Sequence, residues 1–268
     1  MEETKGMTLF VTERFLSLQG EGIYTGAPSY FIRTGGCNLA CWFCDTSYAS
    51  WRLEEQAERI SVEALAQEVA DQDYCRHIVI TGGEPSIQKM SVSAFIKSIR
   101  KLGEKLGRQF VITMETNGTK FIPNLGLDLV SISPKLYSST QFPGDAPSDW
   151  MQKPIPPDAL INIAKWLMVP KLQSQLKFVI TEAVMADLAE VGDYAERIAE
   201  LIFSMHPQIS VESALELIVN PRIMLMPEST THDTLIKHSP VVEEWCKKLG
   251  YRFCDRLHLR LYDGKRGK

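Results

Sequence analysis

The chain of 268 residues lacks several features that would assign it to a large protein class. No apolar run approaches the roughly 18 uninterrupted residues that span a bilayer. Residues 1–5 are mostly polar or charged and lack the long apolar stretch of a signal peptide. No basic tract occurs before residues 265–268, and the formal net charge is −4. We therefore expect a cytoplasmic protein with neither a membrane nor a nucleic acid as its partner.

Cysteine is scarce, with six in the whole chain. In a chain without an export signal, these cysteines predict a reducing compartment and thiols used as ligands rather than in disulfides. Cys75, Cys246 and Cys254 are scattered, and we predict that they are ordinary buried thiols. The other three, at 37, 41 and 44, lie close together at C-x₃-C-x₂-C spacing.

This group of three, Cys37, Cys41 and Cys44, has no fourth metal-binding side chain nearby, since Cys75 and His77 come over thirty residues later. A structural zinc site needs four ligands, which are commonly arranged in C-x₂-C pairs. An iron–sulfur cluster held by three cysteines instead leaves one iron open to a non-protein ligand such as S-adenosylmethionine. The spacing therefore favours a cluster, and a non-enzymatic zinc-binding scaffold is the alternative.

The hydrophobic content of 44% is enough for one sizeable core. Near-continuous apolar runs, typical of strands covered on both faces, alternate with helical patterns. We predict an α/β fold, a partial and open TIM-like barrel of about six parallel β/α units, in which residues 1–268 form a single domain. The predicted strands are 30–34, 77–81, 109–114, 127–132, 176–181 and 223–226.

Three helices have readable ends. Ser61 is a predicted N-cap, and Ser91 is predicted to open a second helix that ends before Gly107. A late helix is predicted to start at residues 239–240 and to stop at Gly250. The side chains of this late helix that we expect to face inward are Val241, Trp245 and Leu249.

Residues 136–157 interrupt the alternation with five prolines among Ser, Asp, Gln and Gly. A loop of about twenty residues in a compact domain is usually functional or disordered. We predict an irregular insertion, which is either a lid over the site or a solvent-exposed addition.

Polar segments follow four successive predicted strands. In α/β barrels, chemistry collects where the strands end, so these segments are expected to share one site. Each segment alone could be a common turn, and only their succession is informative. The four segments are Gly35-Gly36-Cys37, residues 81–85, residues 115–118 and residues 133–135.

The cysteine spacing, followed by Gly82-Gly83-Glu84-Pro85, resembles the radical S-adenosylmethionine superfamily. Further features make the chain similar to the 7-carboxy-7-deazaguanine synthase family. The match runs from about residue 9 to residue 135 and returns weakly at Lys177, at 226–227 and at His258. The further features are Leu18-Gln19-Gly20-Glu21-Gly22, Cys41-Trp42-Phe43-Cys44-Asp45-Thr46 and Arg33.

The resemblance implies conversion of 6-carboxy-5,6,7,8-tetrahydropterin to 7-carboxy-7-deazaguanine with loss of ammonia, in the biosynthesis of queuosine and related deazapurines. It also implies a 4Fe-4S cluster, S-adenosylmethionine and Mg²⁺, a flavodoxin or ferredoxin as reductant, and a homodimer. The alternative enzyme is an activase that generates a glycyl radical on a partner protein with the same cluster chemistry.

Roles for individual residues come from the resemblance. Cys37, Cys41 and Cys44 would hold the cluster, and Thr46 would bind Mg²⁺, although on its own Thr46 is more typical of a turn. Arg33 lies on the same strand face as Phe31, and a guanidinium there suits a carboxylate. The expected substrate-binding residues are Leu18, Gln19, Gly20, Glu21, Arg33, Thr81 and His258.

The resemblance also implies residues that face S-adenosylmethionine. His258, by contrast, is expected in a strand-like run over 252–261, where a lone histidine is often only structural. The residues expected to face the cofactor are Gly83, Glu115, Asn117, Ser133, Pro134, Lys135, Met226, Pro227, Glu228 and Ser229.

Overall fold

The computed structural model describes residues 6–53 and 57–268, which build one nine-stranded sheet flanked by helices. The strands are β1 (Thr8–Leu18), β2 (Pro28–Thr34), β3 (Glu58–Ser61), β4 (His77–Gly82), β5 (Val111–Thr116), β6 (Leu129–Ile132), β7 (Gln173–Ile180), β8 (Ile223–Pro227) and β9 (Arg252–Phe253). The helices are α1 (Val62–Ala70), α2 (Lys89–Leu106), α3 (Ala159–Leu167), α4 (Val184–Met205), α5 (Val211–Ser213), α6 (His232–Leu249) and α7 (Leu257–Tyr262).

The sheet is mostly parallel, as the sequence predicts. Its order is β3-β1-β2-β4-β5-β6-β7-β8-β9, and every neighbouring pair from β2 to β9 is parallel. The six predicted strands are confirmed as β2 and β4–β8, with boundaries that shift by a few residues. Sequence patterns missed β1 and β3, which pair antiparallel at one edge, and β9 occupies only the first two residues of the strand-like run expected over 252–261. An open sheet of parallel strands places their carboxyl ends along one rim, where ligands bind in such folds.

Alternation along the strands separates an apolar face from a polar face. Ile32, Ile80 and Phe178 belong to the main core, which the sheet shares with residues of α1 to α4 and α6. The neighbouring positions in sequence, such as Arg33 and Thr81, belong to the opposite face. The polar residues of the strands therefore converge on the concave side of the sheet.

The amino end of this concave side is filled by a hydrogen-bonded polar layer. His77 Nδ1 lies 2.7 Å from Ser29 Oγ, and His77 Nε2 lies 2.8 Å from Thr113 Oγ1. The Tyr24 ring meets the His77 ring edge-on at 4.9 Å. Gln175 accepts a hydrogen bond from the backbone N–H of Ile23. The segment that follows β1 thus closes this end of the sheet, and the carboxyl end carries the cavity.

The helix boundaries confirm some predictions and correct others. Ser61 caps α1 by accepting a hydrogen bond from the N–H of Ala64, as predicted. Gly107 ends α2 in a left-handed conformation, with φ of 63°. This helix begins at Lys89 rather than at Ser91, because a 3₁₀ turn over Pro85–Gln88 leads directly into it.

The predicted start of the late helix at residues 239–240 is wrong. The α6 helix begins seven residues earlier at His232, where Thr231 and Thr234 form a capping box. Pro240 therefore lies inside the helix, although Gly250 ends it as predicted. Of the three predicted inward side chains, Trp245 packs against the core, but Val241 and Leu249 are exposed. The buried residues of this helix are Leu235, Val242 and Cys246.

Residues 136–157 are irregular, as predicted, apart from a 3₁₀ turn at Tyr137–Thr140. Cys75, Cys246 and Cys254 are free and buried, which confirms their prediction. In the part of the chain that the structure describes, no helix has both the length and the apolar character to cross a membrane.

Candidate active site

A cavity of about 440 Å³ opens at the carboxyl end of the parallel strands. Its lining comes from the loops that follow β2, β4, β5, β6 and β8, from the end of β1, and from the segment around α7. Its size is in the range of small-molecule and cofactor sites. One site therefore collects the polar segments that the sequence distributes over more than 200 residues.

The cysteine loop, residues 37–44, forms one wall of the cavity, and all three of its thiols face it. The turn after β4 packs directly against this loop: Glu84 N–H donates to the carbonyl of Gly36 at 2.8 Å. A Cβ atom at Gly83 would lie 1.9 Å from that same carbonyl oxygen, so a side chain cannot be accommodated there. The glycine in the turn is therefore required by close approach of two loops.

The three thiols of the cysteine loop do not form a ready-made zinc site. Ligands around zinc at about 2.3 Å lie about 3.8 Å apart in a tetrahedron. Across the described ranges, the only three His, Cys, Asp or Glu ligand atoms found within 4.8 Å of one another belong to Glu21, Asp45 and His258. The sulfurs of Cys37, Cys41 and Cys44 therefore do not all lie within 4.8 Å of one another, as three ligands of one zinc ion would. Burial raises the pKa of the Cys37 thiol to about 12, so a metal must stabilise its thiolate.

A buried ion network crosses the floor of the cavity. Lys177 Nζ lies 2.6 Å from one carboxylate oxygen of Glu21, and Arg256 Nε lies 3.1 Å from the other. Arg256 also binds the carboxylate of Asp45 and the backbone carbonyl of Ser229. The network therefore joins the end of β1, the cysteine loop, β7 and the loop after β8.

This network controls the protonation of its members. Burial would raise the pKa of Glu21, but attraction from Lys177 and Arg256 outweighs it and holds the pKa well below its usual value. Burial would lower the pKa of Lys177, but Glu21 and Glu115 raise it above its usual range. Burial lowers the pKa of His258, which keeps its imidazole neutral at neutral pH. Two fixed cations and two fixed anions therefore surround a neutral imidazole.

The side chains of Glu21, Asp45 and His258 lie close enough to offer three metal ligands. The two carboxylates, however, are already paired with a cationic side chain. The Arg256 guanidinium bridges the two carboxylates, and its side chain is only 7% exposed. A divalent ion at this point would have to displace Arg256 from its own hydrogen bonds. We therefore interpret the trio as part of the ion network.

Arg33 lies in the upper wall of the cavity, as predicted, and its anionic partner in the structure is Glu13. Arg33 Nε donates to Glu13 at 2.9 Å, and Tyr48 Oη donates to the same carboxylate at 2.9 Å. The guanidinium carbon also lies 5.8 Å from the centre of the Phe15 ring. Glu13 and Phe15 therefore hold the guanidinium in place on the wall of the cavity.

Residues from three strands meet at Glu115. Thr81 Oγ1 donates to one of its oxygens at 2.8 Å, and Gln19 Nε2 donates to the other at 3.2 Å. Gln19 in turn accepts from the N–H of Glu21 at 3.1 Å. These bonds fix the amide and the two carboxylates as a set of donors and acceptors on one side of the cavity.

Glu84 of the Gly-Gly-Glu-Pro turn does not line the cavity. Its carboxylate is fully buried and accepts hydrogen bonds from Thr116 Oγ1 and from the N–H of Asn117, both at 2.7 Å, and from the N–H of Ser86 at 2.9 Å. It thereby fixes the loop after β5, which places Asn117 in the wall. Its role is structural support of that wall.

Nearly all the residues that the sequence assigned to a site line this one cavity. The exceptions are Pro134, which is buried in the loop after β6, and Pro227, which is buried at the end of β8. His258 lines the cavity, but its expected strand is wrong: β9 covers only Arg252–Phe253, and His258 belongs to α7. The predicted residues that line the cavity are Leu18, Gln19, Gly20, Glu21, Arg33, Cys37, Cys41, Cys44, Thr46, Thr81, Gly83, Glu115, Asn117, Ser133, Lys135, Met226, Glu228, Ser229 and His258.

Sequence reasoning missed Arg256 and Asp45 and noted Lys177 only as a weak match. Asp45 directly follows the cysteine loop and precedes Thr46, so its position alone could have drawn attention to it. Lys177 carried a signal too, because a lysine inside an apolar strand run needs a buried anion. Arg256 has no such signal, because residues 252–261 mix polar and apolar side chains without a clear period, so the pattern does not show that this arginine is buried.

The fold and the three-cysteine cavity define a radical S-adenosylmethionine protein, and the Radical SAM superfamily model matches residues 31–167. Two relatives narrow this class. The 7-carboxy-7-deazaguanine synthase of Rhodopirellula baltica is 36% identical, over 97% of this chain and 89% of its own length. That of Halobacterium salinarum is 35% identical, over 96% of this chain and 92% of its own length. The chain therefore belongs to the 7-carboxy-7-deazaguanine synthase family.

A solved structure supports the fold independently. The crystal structure of QueE from Escherichia coli aligns over 96% of this chain and 97% of its own, with a TM-score of 0.63 and 22% identity. At that identity the likeness concerns the fold. It confirms the open, mostly parallel α/β sheet expected from the sequence.

Proposed function

We propose that this protein is a 7-carboxy-7-deazaguanine synthase, a radical S-adenosylmethionine lyase. It converts 6-carboxy-5,6,7,8-tetrahydropterin to 7-carboxy-7-deazaguanine and releases ammonia, a step of queuosine and deazapurine biosynthesis. The observation that carries this proposal is one cavity that unites three cysteines, Arg33, and the amide and carboxylate of Gln19 and Glu21. Family membership at 35–36% identity over nearly the full chain supports the same reaction.

Cys37, Cys41 and Cys44 would hold a 4Fe-4S cluster. When bound, the cluster and S-adenosylmethionine supply one-electron chemistry that starts with hydrogen abstraction from the substrate. The protein itself binds and orients the substrate and the cofactor, and it excludes competing reactions. Residues on the far side of the cysteine loop, including Gly83, Asn117, Ser133 and Lys135, would face the cofactor, because they surround the thiols at the strand ends.

The substrate would lie between the cysteine loop and the ion network. Arg33 provides a preorganised guanidinium for its carboxylate, which is the group that bidentate arginine contacts suit. The Gln19 amide can donate and accept hydrogen bonds, and the Glu21 carboxylate can accept them, which suits the amide and amino edge of the pterin. Thr46 supplies a hydroxyl in the same wall, and we assign it to Mg²⁺, which also takes oxygens from substrate and water.

Three further expectations stand as proposals. A flavodoxin or ferredoxin is the proposed reductant, since the cluster must receive single electrons. A homodimer is expected from the family resemblance. A cytoplasmic, reducing location is supported by six free thiols in the structure. We also propose that the chain forms a single domain, supported by the one continuous sheet of its described residues.

The test is anaerobic reconstitution with iron and sulfide, followed by incubation with the carboxytetrahydropterin, S-adenosylmethionine, Mg²⁺ and dithionite. Mass spectrometry should detect 7-carboxy-7-deazaguanine, with about four irons per chain in the enzyme. Cleavage of S-adenosylmethionine without any deazapurine, and only in the presence of a partner protein, would instead indicate the activase. A colourless protein that binds zinc would indicate a non-enzymatic scaffold.

A further inference from the structure

The proline-rich insertion is bound to the cysteine loop by hydrogen bonds on both of its arms. Before the prolines, the carbonyls of Ser138 and Ser139 accept from Trp42, at 2.8 Å from its indole and 3.3 Å from its backbone N–H. Between Pro147 and Pro154, Trp150 Nε1 donates to the carbonyl of Ala40 at 2.9 Å, and Lys153 Nζ donates to that of Cys37 at 3.1 Å. The sequence offered a lid or an exposed addition for this insertion, and neither alternative includes its contact with the cysteine loop.

Aromatic packing reinforces these hydrogen bonds. The Phe142 ring meets Trp42 at 6.3 Å and Trp150 at 5.4 Å, both edge-on, and Trp42 also meets Phe43 at 5.3 Å. Edge-on pairs of this kind stabilise beyond their buried area. The two arms of the insertion thus meet over the cysteine loop and restrict its backbone.

The carbonyls that accept from Trp150 and Lys153 belong to Ala40, next to one cysteine, and to Cys37 itself. The backbone of a three-cysteine loop must keep its thiols spaced for one inorganic group, and contacts behind the ligands tune both retention and reduction potential. A lysine ammonium hydrogen-bonded to the backbone of a ligand also places a positive charge close to that group. Such a charge favours the more negative, reduced state of a cluster.

We propose that residues 138–153 clamp the cysteine loop, with Trp150 positioning it for cluster retention and Lys153 raising the reduction potential of the cluster. Both residues act through the backbone of the loop and are positioning residues. The inference rests on the proposed function, because it requires that the three cysteines hold a cluster.

Retention is tested with Trp150→Phe, which keeps an aromatic ring and removes the N–H donor. Trp245→Phe is the matched control, because it removes the same indole N–H at α6, where the ring of Trp245 contacts Lys248. After anaerobic reconstitution, an iron chelator is added and the release of iron is followed by absorbance. Trp150→Phe should lose iron about three- to tenfold faster than the wild type, since one neutral hydrogen bond is removed. Trp245→Phe should release iron at the wild-type rate.

The charge effect is tested with Lys153→Gln and Lys153→Arg in a mediated redox titration followed by electron paramagnetic resonance. Lys153→Gln should lower the equilibrium constant for one-electron reduction of the cluster about three- to tenfold. This corresponds to a shift of the reduction potential by about 28 to 59 mV toward more negative values. Lys153→Arg keeps the charge and should stay near the wild type. Lys101→Gln, which removes an exposed charge on α2, is the control for net charge.

The outcomes separate the clamp from the proposed function. Equal potentials for Lys153→Gln and wild type, or equal shifts for the Gln and Arg variants, would overturn the role of the Lys153 charge. An unchanged rate of iron release in Trp150→Phe would overturn positioning by Trp150. If the wild type itself takes up no cluster, the proposed function fails and the clamp fails with it. If the wild type holds a cluster and turns over fully, and Trp150→Phe and Lys153→Gln change neither iron release nor reduction potential, the clamp is overturned and the proposed function stands.

Discussion

The imidazole of His258 packs directly on the backbone of Gly20, so closely that a Cβ atom at residue 20 would lie 2.2 Å from Nδ1. The two residues are far apart in sequence, one at the end of β1 and the other in α7. The backbone N–H of Leu257 donates to the carbonyl of Gly20 at 2.9 Å and holds the two segments together. The absence of a side chain at residue 20 therefore determines where the imidazole lies in the cavity.

Gly20→Ala should displace the His258 ring and raise the KM for the carboxytetrahydropterin about tenfold or more. The reason is steric, because the added methyl group and the imidazole cannot occupy the same space. Steady-state kinetics and a urea unfolding curve would separate lost binding from lost stability. Gly192→Ala in α4 is the control, since a Cβ there meets no atom within 4 Å and alanine favours a helix. Unchanged kinetics in Gly20→Ala would contradict a substrate role for His258.

Arg256→Met should destabilise the protein by about 3 kcal/mol, because two carboxylates and the Ser229 carbonyl lose their shared partner. It should also reduce turnover, since Glu21 would no longer be held in place. Urea unfolding and product formation measure the two effects. Arg260→Met removes a partly exposed pair with Asp255 and should cost less than about 1 kcal/mol. Similar costs for both variants would contradict the central position of Arg256.

Arg33→Ala should mainly raise the KM for the substrate, with a smaller effect on kcat. The physical reason is the loss of a guanidinium that Glu13 and Phe15 hold ready for a carboxylate. Measuring KM for the carboxylate substrate and iron content in the same preparation checks this prediction. Arg197→Ala is the matched control, because Arg197 is an exposed side chain of α4. An unchanged KM in Arg33→Ala would exclude carboxylate recognition by this residue.

Cys41→Ala should abolish assembly of the 4Fe-4S cluster, because two thiolates cannot retain a group that needs three. Iron and sulfide analysis after anaerobic reconstitution, together with the visible absorption of the protein, measures this. Cys246→Ala serves as the control, since Cys246 is buried in the core away from the cavity. Full iron content in the Cys41 variant would disprove the ligand assignment.

His77 should make the stability of the fold depend on pH. Burial lowers the pKa of His77 from 6.5 to about 4, although Glu115 and Asp128 oppose the shift. The unfolded chain therefore binds more protons between these values, and the stability from neutral His77 is complete above about pH 6.5 and is lost as pH falls towards 4. From pH 7 to pH 5 this loss is about 2 kcal/mol.

Urea unfolding of the wild type and of His77→Gln at pH 7 and pH 5 measures this dependence. The variant should be less stable at pH 7 but should lose less of its stability on acidification. His232→Gln, at a side chain that is 45% exposed, should follow the wild type. An identical pH dependence in His77→Gln and in the wild type would rule out His77 as the titrating group.

Much of this protein is determined by local sequence. Cysteine spacing, Gly-Gly-Glu-Pro and the polar residues after each strand place the cluster and cofactor loops, because parallel strands bring their carboxyl ends to one rim. Short, largely apolar runs rich in β-branched residues predict β2 and β4–β8, because such residues favour strands. Ser61 and Gly107 mark helix ends correctly because capping depends on neighbouring residues alone.

Only the tertiary structure decided the ion network and the role of the insertion. Glu21 meets Arg256 across 235 positions and Lys177 across 156, and those pairings depend on strand register and on the turn into α7. No local pattern encodes that register, because a periodic sequence specifies which face a side chain occupies and not which distant residue it contacts. The packing of Trp150 and Lys153 on the cysteine loop has the same origin: an irregular segment has no periodicity, so only the folded chain shows what it binds.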